Sequence, residues 1–383
     1  MNKTYDYIIA GGGLAGLTLL YYILEEPTLK NKRILVIDSA RKDNNDRTWC
    51  FWEKEKEFYE HLVSARWNKL KFESPSLNRI FELEKYEYKL IKSIDYYNFI
   101  INKAIDNNVE FKIETIKAIY DIDSLVRVET ELGEYNSTYV FNSTNLYTPI
   151  MSKKDTLLQH FEGWFIKLDN NHFDKSIGTL MDFTLPQDNG VTFMYVLPTQ
   201  SDEALVEYTL FSESLLDRDD YAFQLKEYIK EKLFIEKYKI IHKEFGVIPM
   251  TKVKFHSNQK KESNIINIGT TGGYTKASTG YTFRSVHKKI KKIANKLIEN
   301  EKPILTHTFR EKMFRWYDLT LLDVLIEKKY SGEKIFTNLF KKNNPEIVLA
   351  FLADESTHLD EFRIRNSVPL APFISSGLKQ LLK

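Results

Sequence analysis

The chain is 383 residues long, carries a net charge of +2, and is 43% hydrophobic and 28% charged. That length suits two lobes rather than one core, and so even a charge balance makes no electrostatic case for nucleic acid. A single cysteine, Cys50, excludes an intramolecular disulfide, and no apolar stretch reaches the ~18 residues of a membrane span.

Near the start, Tyr7-Ile8-Ile9 reads as a buried parallel strand, which leaves no room for a secretory signal before it. It runs into Gly11, Gly13 and Gly16 in G-x-G-x-x-G spacing, and Leu14, Leu17, Tyr21 and Leu24 follow on one helical face. In a dinucleotide site the first glycine makes the tight turn and the second lets the backbone approach a pyrophosphate. The third lets helix and strand pack closely, with the helix N-terminus facing the phosphates. Arg33 to Ile37 reads as a second strand ending at Asp38, 22 positions past Gly16, where an acid holds a ribose hydroxyl. A lone glycine pattern could be an ordinary turn; strand, glycines, helix, strand and acid in this order are specific.

Residues 95 to 107 have helical spacing, and three alternating runs between 109 and 142 read as strands, the last ending in the polar break Asn142-Ser143-Thr144. From Phe161 to Phe211 the pattern is strongly β. Four strands, around Trp164-Ile166, Leu180-Phe183, Val191-Leu197 and Ala204-Thr209, are separated by turn signals at Pro186, Gly190 and Pro198. Ile265 to Ile268 returns to parallel-strand character and enters a second glycine turn, GTTGGYTKASTGY, over residues 269 to 281. A one-fingerprint NAD dehydrogenase has no need of such a late turn, whereas FAD extends from its ADP half to a distant part of the chain. Thr270 stands where many flavoproteins carry an Asp. Past Gly280 the chain reads as helical.

Two acids stand inside apolar strands. Glu207 lies between Val206 and Tyr208, and Asp182 between Met181 and Phe183. Facing water, both are ordinary solvated residues; facing an aromatic cavity, desolvation raises their pKa values and suits them to proton transfer. The 25 Phe, 22 Tyr and 5 Trp fit either a generous aromatic core or a pocket for a large apolar ligand. The histidines show no ligand spacing, and no metal is expected.

Taken together, the chain resembles the lycopene cyclase family of FAD-dependent carotenoid enzymes, nearly end to end. The residues that carry the resemblance are the N-terminal fingerprint, Asp46-Arg47-Thr48-Trp49-Cys50-Phe51-Trp52, Met181-Asp182-Phe183 and Phe193 to Pro198. They continue in Leu205-Val206-Glu207-Tyr208-Thr209, Gly246 to Met250, the second glycine turn and Pro369 to Phe373. The resemblance implies cyclisation of the ends of lycopene, or a related linear carotenoid, to β-ionone rings without net redox change. FAD is used in its reduced form, with NADPH as reductant. Glu207 is implied as the proton handler and Asp182 as the second candidate. Trp49, Phe51, Trp52, Phe193 and Tyr195 would line the substrate tunnel. Gly11, Gly13, Gly16, Asp38, Arg47, Gly269, Gly272, Gly273, Thr279 and Gly280 would hold the cofactor.

The expected fold is α/β: a Rossmann-type FAD-binding domain (1–150 and 245–300), an inserted antiparallel β-sheet substrate domain (151–244) and a helical C-terminal region (301–383). A bilayer-dissolved substrate implies a cytoplasmic protein peripherally bound at the inner face of the cell membrane. The apolar C-terminal segment, Leu370 to Lys383, either lies in that interface or packs on the core. A flavin monooxygenase or polyprenyl reductase on the same fold would differ by consuming one NAD(P)H per turnover. A non-enzymatic carotenoid or lipid carrier would be indifferent to Glu207→Gln.

Overall fold

The computed structural model describes residues 4–107, 109–255 and 262–382. In chain order the N-terminal half contains β1 (Thr4–Ala10), α1 (Leu14–Glu25), β2 (Ile34–Asp38), β3 (Thr48–Glu53), β4 (Ala65–Trp67), β5 (Lys69–Ser74), β6 (Leu77–Glu82) and β7 (Glu87–Lys92). Then come α2 (Ser93–Asp106), β8 (Glu110–Ile113), β9 (Ile116–Ile122), β10 (Leu125–Thr130) and β11 (Glu134–Asn142). The second half begins with β12 (Thr156–Lys167), β13 (Ile177–Asp182), β14 (Val191–Gln200), β15 (Glu203–Ser212), α3 (Arg218–Glu231), β16 (Lys239–Thr251) and β17 (Ile265–Asn267). It ends in α4 (Phe283–Ile298), α5 (Phe309–Ile326), α6 (Gly332–Lys342), α7 (Pro345–Leu352), α8 (His358–Ser367) and α9 (Leu370–Leu381).

The first sheet has the order β8-β2-β1-β11-β10-β9, with β17 beside the C-terminal half of β11. β1, β2, β11 and β17 run parallel, so Ala10, Asp38, Asn142 and Asn267 all end at one edge. Both faces are covered, as a parallel sheet requires. On one, Ile9, Val36 and Phe141 pack against Leu17 and Leu20 of α1, Ile100 of α2 and Ile290 of α4. On the other, Ile8, Leu35 and Val140 pack with Ile119, Val126 and Val128 of the β9–β10 hairpin. This is the expected Rossmann-type α/β lobe.

The second sheet has the order β16-β12-β15-β14-β13-β5-β6 and is antiparallel except where β13 meets β5. Its centre, β12 to β15, is the set of four strands read from the sequence. Its edges differ from the expected boundaries: β5–β6 join from within 1–150, and β16 runs through position 245 without leaving the sheet. Strand alternation divides the side chains cleanly. Val206, Tyr208 and Leu210 pack under Tyr221, Leu225 and Ile229 of α3. Leu205, Phe211, Phe193 and Leu197 share the opposite core with Phe336 and Phe340 of α6 and Leu349 of α7.

A small sheet, β3-β7-β4, lies between the two. Trp49 and Phe51 of β3 turn toward the first lobe, against Phe283 of α4, while Trp52 turns toward the second. The sheet is pinned by a buried ion pair, Lys89 Nζ to Glu53 Oε1 at 3.0 Å, and the Tyr59 hydroxyl donates to the same carboxylate at 2.8 Å. Several of the C-terminal helices start at identifiable caps. Thr308 and Glu311 form a capping box for α5, Thr357 and Asp360 one for α8, and Asn344 with Pro345 opens α7. Among the described residues no helix is long and apolar enough to cross a membrane.

Candidate active site

A cavity of about 470 Å³ lies between the carboxyl edge of the first sheet and the second sheet, with β3 along one side. Ligands in open α/β sheets bind outside the carboxyl ends of the strands. Gly13, Leu14 and Ala15 line it from the start of α1, Ser143 from the end of β11, and Gly269 and Thr270 from the end of β17.

The three fingerprint glycines have separable roles. Gly11 has φ +103°, and a Cβ there would meet Ser143 Oγ at 2.2 Å. A Cβ on Gly16 would meet the Gly11 carbonyl oxygen at 2.1 Å, so Gly16 packs helix against turn. A Cβ on Gly13 would meet nothing within 4 Å, because that position faces the cavity. The N-terminus of α1 has no side-chain cap, which leaves its first N–H groups and positive dipole end for an anion. Asp38 accepts from Gly12 N at 2.7 Å and pairs with Lys42 at 3.1 Å. Arg47 lines the same cavity.

The second glycine turn closes the cavity from another direction. Gly269 and Gly280, both at positive φ, reach the cavity, and a Cβ on Gly280 would meet Gln159 Oε1 at 2.0 Å. Lys276 and Ser278 tie the turn to α5: Lys276 Nζ pairs with Asp318 at 2.7 Å, and Ser278 Oγ donates to it at 2.8 Å. Of the expected cofactor residues, Gly13, Arg47, Gly269 and Gly280 line the cavity, while Gly11, Gly16 and Asp38 in the first lobe and Gly272, Gly273 and Thr279 in this turn stand back from its wall. Gly272 and Gly273 shape the turn against Asn267 and Phe255, and Thr279 is buried behind it.

The second sheet supplies the titratable wall. Register sets Tyr195 of β14, Glu207 of β15, Gly163 of β12 and Glu244 of β16 side by side across four strands. Residues directly opposite one another in a sheet share a face, so both carboxyl groups stand on the cavity side. Glu207 lines the cavity wall and keeps some accessible surface, yet protein surrounds it closely. Burial pushes its carboxyl well above the ordinary range and the charge of Glu244 pushes it further, while Thr209 Oγ1, donating at 2.8 Å, opposes the shift. Burial pushes Glu244 up as well, opposed by Thr48 and Arg47. Neither Glu244 oxygen has a hydrogen-bond partner among the described residues, nor does the hydroxyl of nearby Thr48. Cys50, Tyr88, Tyr195 and Tyr281 complete the surroundings, and Glu207 raises the pKa of each after burial does. The arrangement is a weakly acidic carboxyl beside aromatic residues that can hold a proton at neutral pH.

Other expected site residues lie elsewhere. Asp182 stands opposite Met194, on the α3 face of the sheet, away from Glu207. There it accepts from the Tyr228 hydroxyl at 2.6 Å and from Thr184 N at 2.8 Å, so it bridges strand and helix. Of the five aromatic residues expected in the tunnel, Trp49 and Tyr195 line the cavity. Phe51 packs on Phe283, Trp52 donates its indole N–H to Leu349 O at 3.0 Å, and Phe193 packs between Phe183 and Phe211. Glu244, Gly163, Tyr88 and Gln159 were not singled out by the sequence, and Cys50 and Tyr281 stood in its motifs without being named as site residues. For Glu244 a signal existed: it directly precedes the Phe245-Gly246 stretch that opens the Gly246–Met250 motif.

The geometry agrees with comparisons to known proteins. Residues 6–377 match the model of the family described as lycopene cyclase protein. A curated relative, the lycopene beta-cyclase of Pseudescherichia vulneris, is 24% identical over 224 residues, covering 57% of this chain and 54% of that one. The chain thus spans about half the length of that relative. A glucose oxidase from Penicillium chrysogenum is 50% identical over 45 residues, 12% of this chain and 7% of that one. In fold, a geranylgeranyl bacteriochlorophyll reductase-like protein from Thermoplasma acidophilum superposes with a TM-score of 0.69 at 14% identity, over 99% of each chain. The halogenase PltM, solved with phloroglucinol and FAD, gives 0.61 at 10% identity, over 99% of this chain and 93% of that one. The chain therefore shares the fold of these proteins, one of which was solved with FAD. A family match that runs unbroken through the fingerprint, both sheets and the C-terminal helices means that the chain belongs to the lycopene cyclase family.

Proposed function

We propose that the chain is a lycopene β-cyclase that forms β-ionone rings by proton-initiated cyclisation, using FAD in its reduced form. The observation that carries this reading is Glu207, a carboxyl pushed toward neutrality on the wall of the cavity that the fingerprint glycines open into. The residues present fit FAD. Gly13 leaves space for a pyrophosphate at an uncapped helix start, Asp38 accepts from Gly12 N beside the same turn, and Gln159 Oε1 is buried at the cavity without a partner among the described residues. Gly11, Gly13, Gly16, Asp38, Arg47, Gly269 and Gly280 would hold it. When bound and reduced, it supplies a nearby negative charge that stabilises a cation.

In this reading, Glu207 gives its proton to the terminal double bond of the substrate, whose π electrons form the new C–H bond. A neighbouring double bond then attacks the resulting cation and closes the ring. A ring carbon returns a proton to the Glu207 carboxylate, which restores an alkene with no net redox change. Thr209 orients the carboxyl through its hydrogen bond to Oε1. Ring faces of Trp49, Tyr88 and Tyr195 stabilise the cation.

Access to a bilayer-dissolved carotenoid is supported by α9. Ser376, Gly377 and Lys379 hold it to Asp323 and Trp316 of α5. Leu370, Ile374, Leu378 and Leu381, each more than half exposed, form an outer apolar ridge suited to a lipid surface; Lys383 lies outside the described residues. NADPH as reductant and peripheral attachment at the inner face of the cell membrane belong to the same reading. Expression in a lycopene-accumulating host tests it: cyclised pigment is the expected result, and unchanged lycopene contradicts it.

A further inference from the structure

The second carboxyl on the cavity face needs a role, because burying an unpaired carboxylate is costly. Glu244 is buried, and neither of its oxygens accepts a well-formed hydrogen bond among the described residues, although the Thr48 hydroxyl and N–H lie close enough to favour its charged form. It reaches toward Glu207 rather than away. The two residues sit on strands flanking β12, roughly 10 Å apart across the sheet at ordinary strand spacing, and each is in register with Gly163. Gly163 has no side chain to separate them. A Cβ there would meet Glu244 Cγ at 3.1 Å and Oε1 at 3.2 Å, so the Glu244 carboxyl leans over the glycine. A charge placed this way acts on Glu207 through protein rather than through water, where Coulomb terms are large.

We propose that Glu244 is a positioning residue for proton transfer: leaning across Gly163, its carboxylate keeps the reactive proton on Glu207. The two are not equivalent. Arg47 and Thr48 favour charge on Glu244, while Glu207 faces aromatic hydroxyls and Cys50. The pair therefore loses its first proton from Glu244, and repulsion then holds the second on Glu207. The charged and titratable groups facing the pair are Arg47 and Asp46 before β3, Cys50 on β3, Tyr88 on β7, Tyr195 on β14 and Tyr281 on the second turn. Of these, Arg47 acts against the proton on Glu244, and Asp46 acts for it.

The inference rests on the cyclase reading for its purpose but not for its test. Glu244→Gln keeps shape and removes charge. The carbonyl band of a protonated buried carboxyl, assigned to Glu207 by its loss in Glu207→Gln, is followed by infrared spectroscopy against pH. In wild type it should persist through neutral pH; in Glu244→Gln it should vanish about one pH unit lower, or more. The alkaline limb of the cyclisation rate should move down by the same amount, because the reaction needs Glu207 in its acid form. A band that titrates at the same pH in both proteins overturns the inference, even if lycopene is cyclised. A band that shifts as expected, in a wild-type enzyme that leaves lycopene untouched, supports the pairing and rejects the cyclase reading.

Discussion

Glu207→Gln is expected to slow cyclisation by about 10²–10⁴-fold, the usual worth of general acid–base assistance, while flavin content and folding stay at wild-type levels. Glutamine fits the same place on β15 and can still accept the Thr209 hydrogen bond of 2.8 Å. It cannot give up a proton to a hydrocarbon. Asp182 cannot substitute, because it faces α3 and is already engaged by Tyr228 and Thr184. Glu207→Asp keeps a carboxyl on a shorter stem and should keep part of the activity. Steady-state cyclisation rates of the three proteins, with flavin content measured by absorbance, decide the matter. A wild-type rate in Glu207→Gln would remove Glu207 from the reaction.

Gly13→Val should abolish flavin binding and leave the fold intact. The backbone at Gly13 is extended, with φ −84° and ψ −166°, a region that valine favours. A Cβ there would meet no protein atom within 4 Å, so the protein leaves room for the start of the side chain. The side chain would instead occupy the approach to the N-terminus of α1, where a pyrophosphate must come close. Gly16→Val provides the contrast. Its Cβ would fall 2.1 Å from the Gly11 carbonyl oxygen and 2.8 Å from Ile9 Cγ2, so the turn itself must break. Circular dichroism and flavin titration separate the two: Gly13→Val folded and colourless, Gly16→Val misfolded. A Gly13→Val protein that binds FAD like wild type would contradict the cradle described above.

Much of the nucleotide lobe was legible because its signals are local. The strand, the glycines, the helix and Asp38 lie within the first 38 residues, and each role follows from backbone geometry. The centre of the second sheet was legible from its strict alternation. What alternation leaves open is which face turns inward, and that depends on pairing. Met194 and Tyr195 are neighbours in sequence and point opposite ways; Asp182 pairs with the first, Glu207 with the second. The same parity within β3 separates Trp49 from Trp52.

Residues 48 to 92 were harder to read. Their strands are short and rich in Lys and Glu, and Lys89, which looks like a surface residue, is buried against Glu53. Lys69-Leu70-Lys71-Phe72 does alternate, and Leu70 and Phe72 are core residues. Its place in the second sheet, beside β13, comes from a long-range parallel pairing that no local pattern encodes. Glu244 was hidden for a similar reason. Between Lys243 and Phe245 it looks solvated; its place two residues before the Gly246–Met250 motif marks it, but its register with Gly163 is what brings it to Glu207.

The central claim is proton-driven ring closure, with the flavin required in its reduced form but not consumed. Its most direct test is the stoichiometry of turnover without oxygen. The purified protein is loaded with FAD, reduced chemically, and given lycopene in lipid vesicles, while cyclised product and flavin oxidation are followed together. The account predicts many rings formed per flavin, with the flavin spectrum staying reduced throughout. Flavin oxidised in step with product, one for one, would contradict it and make the chain an oxidoreductase.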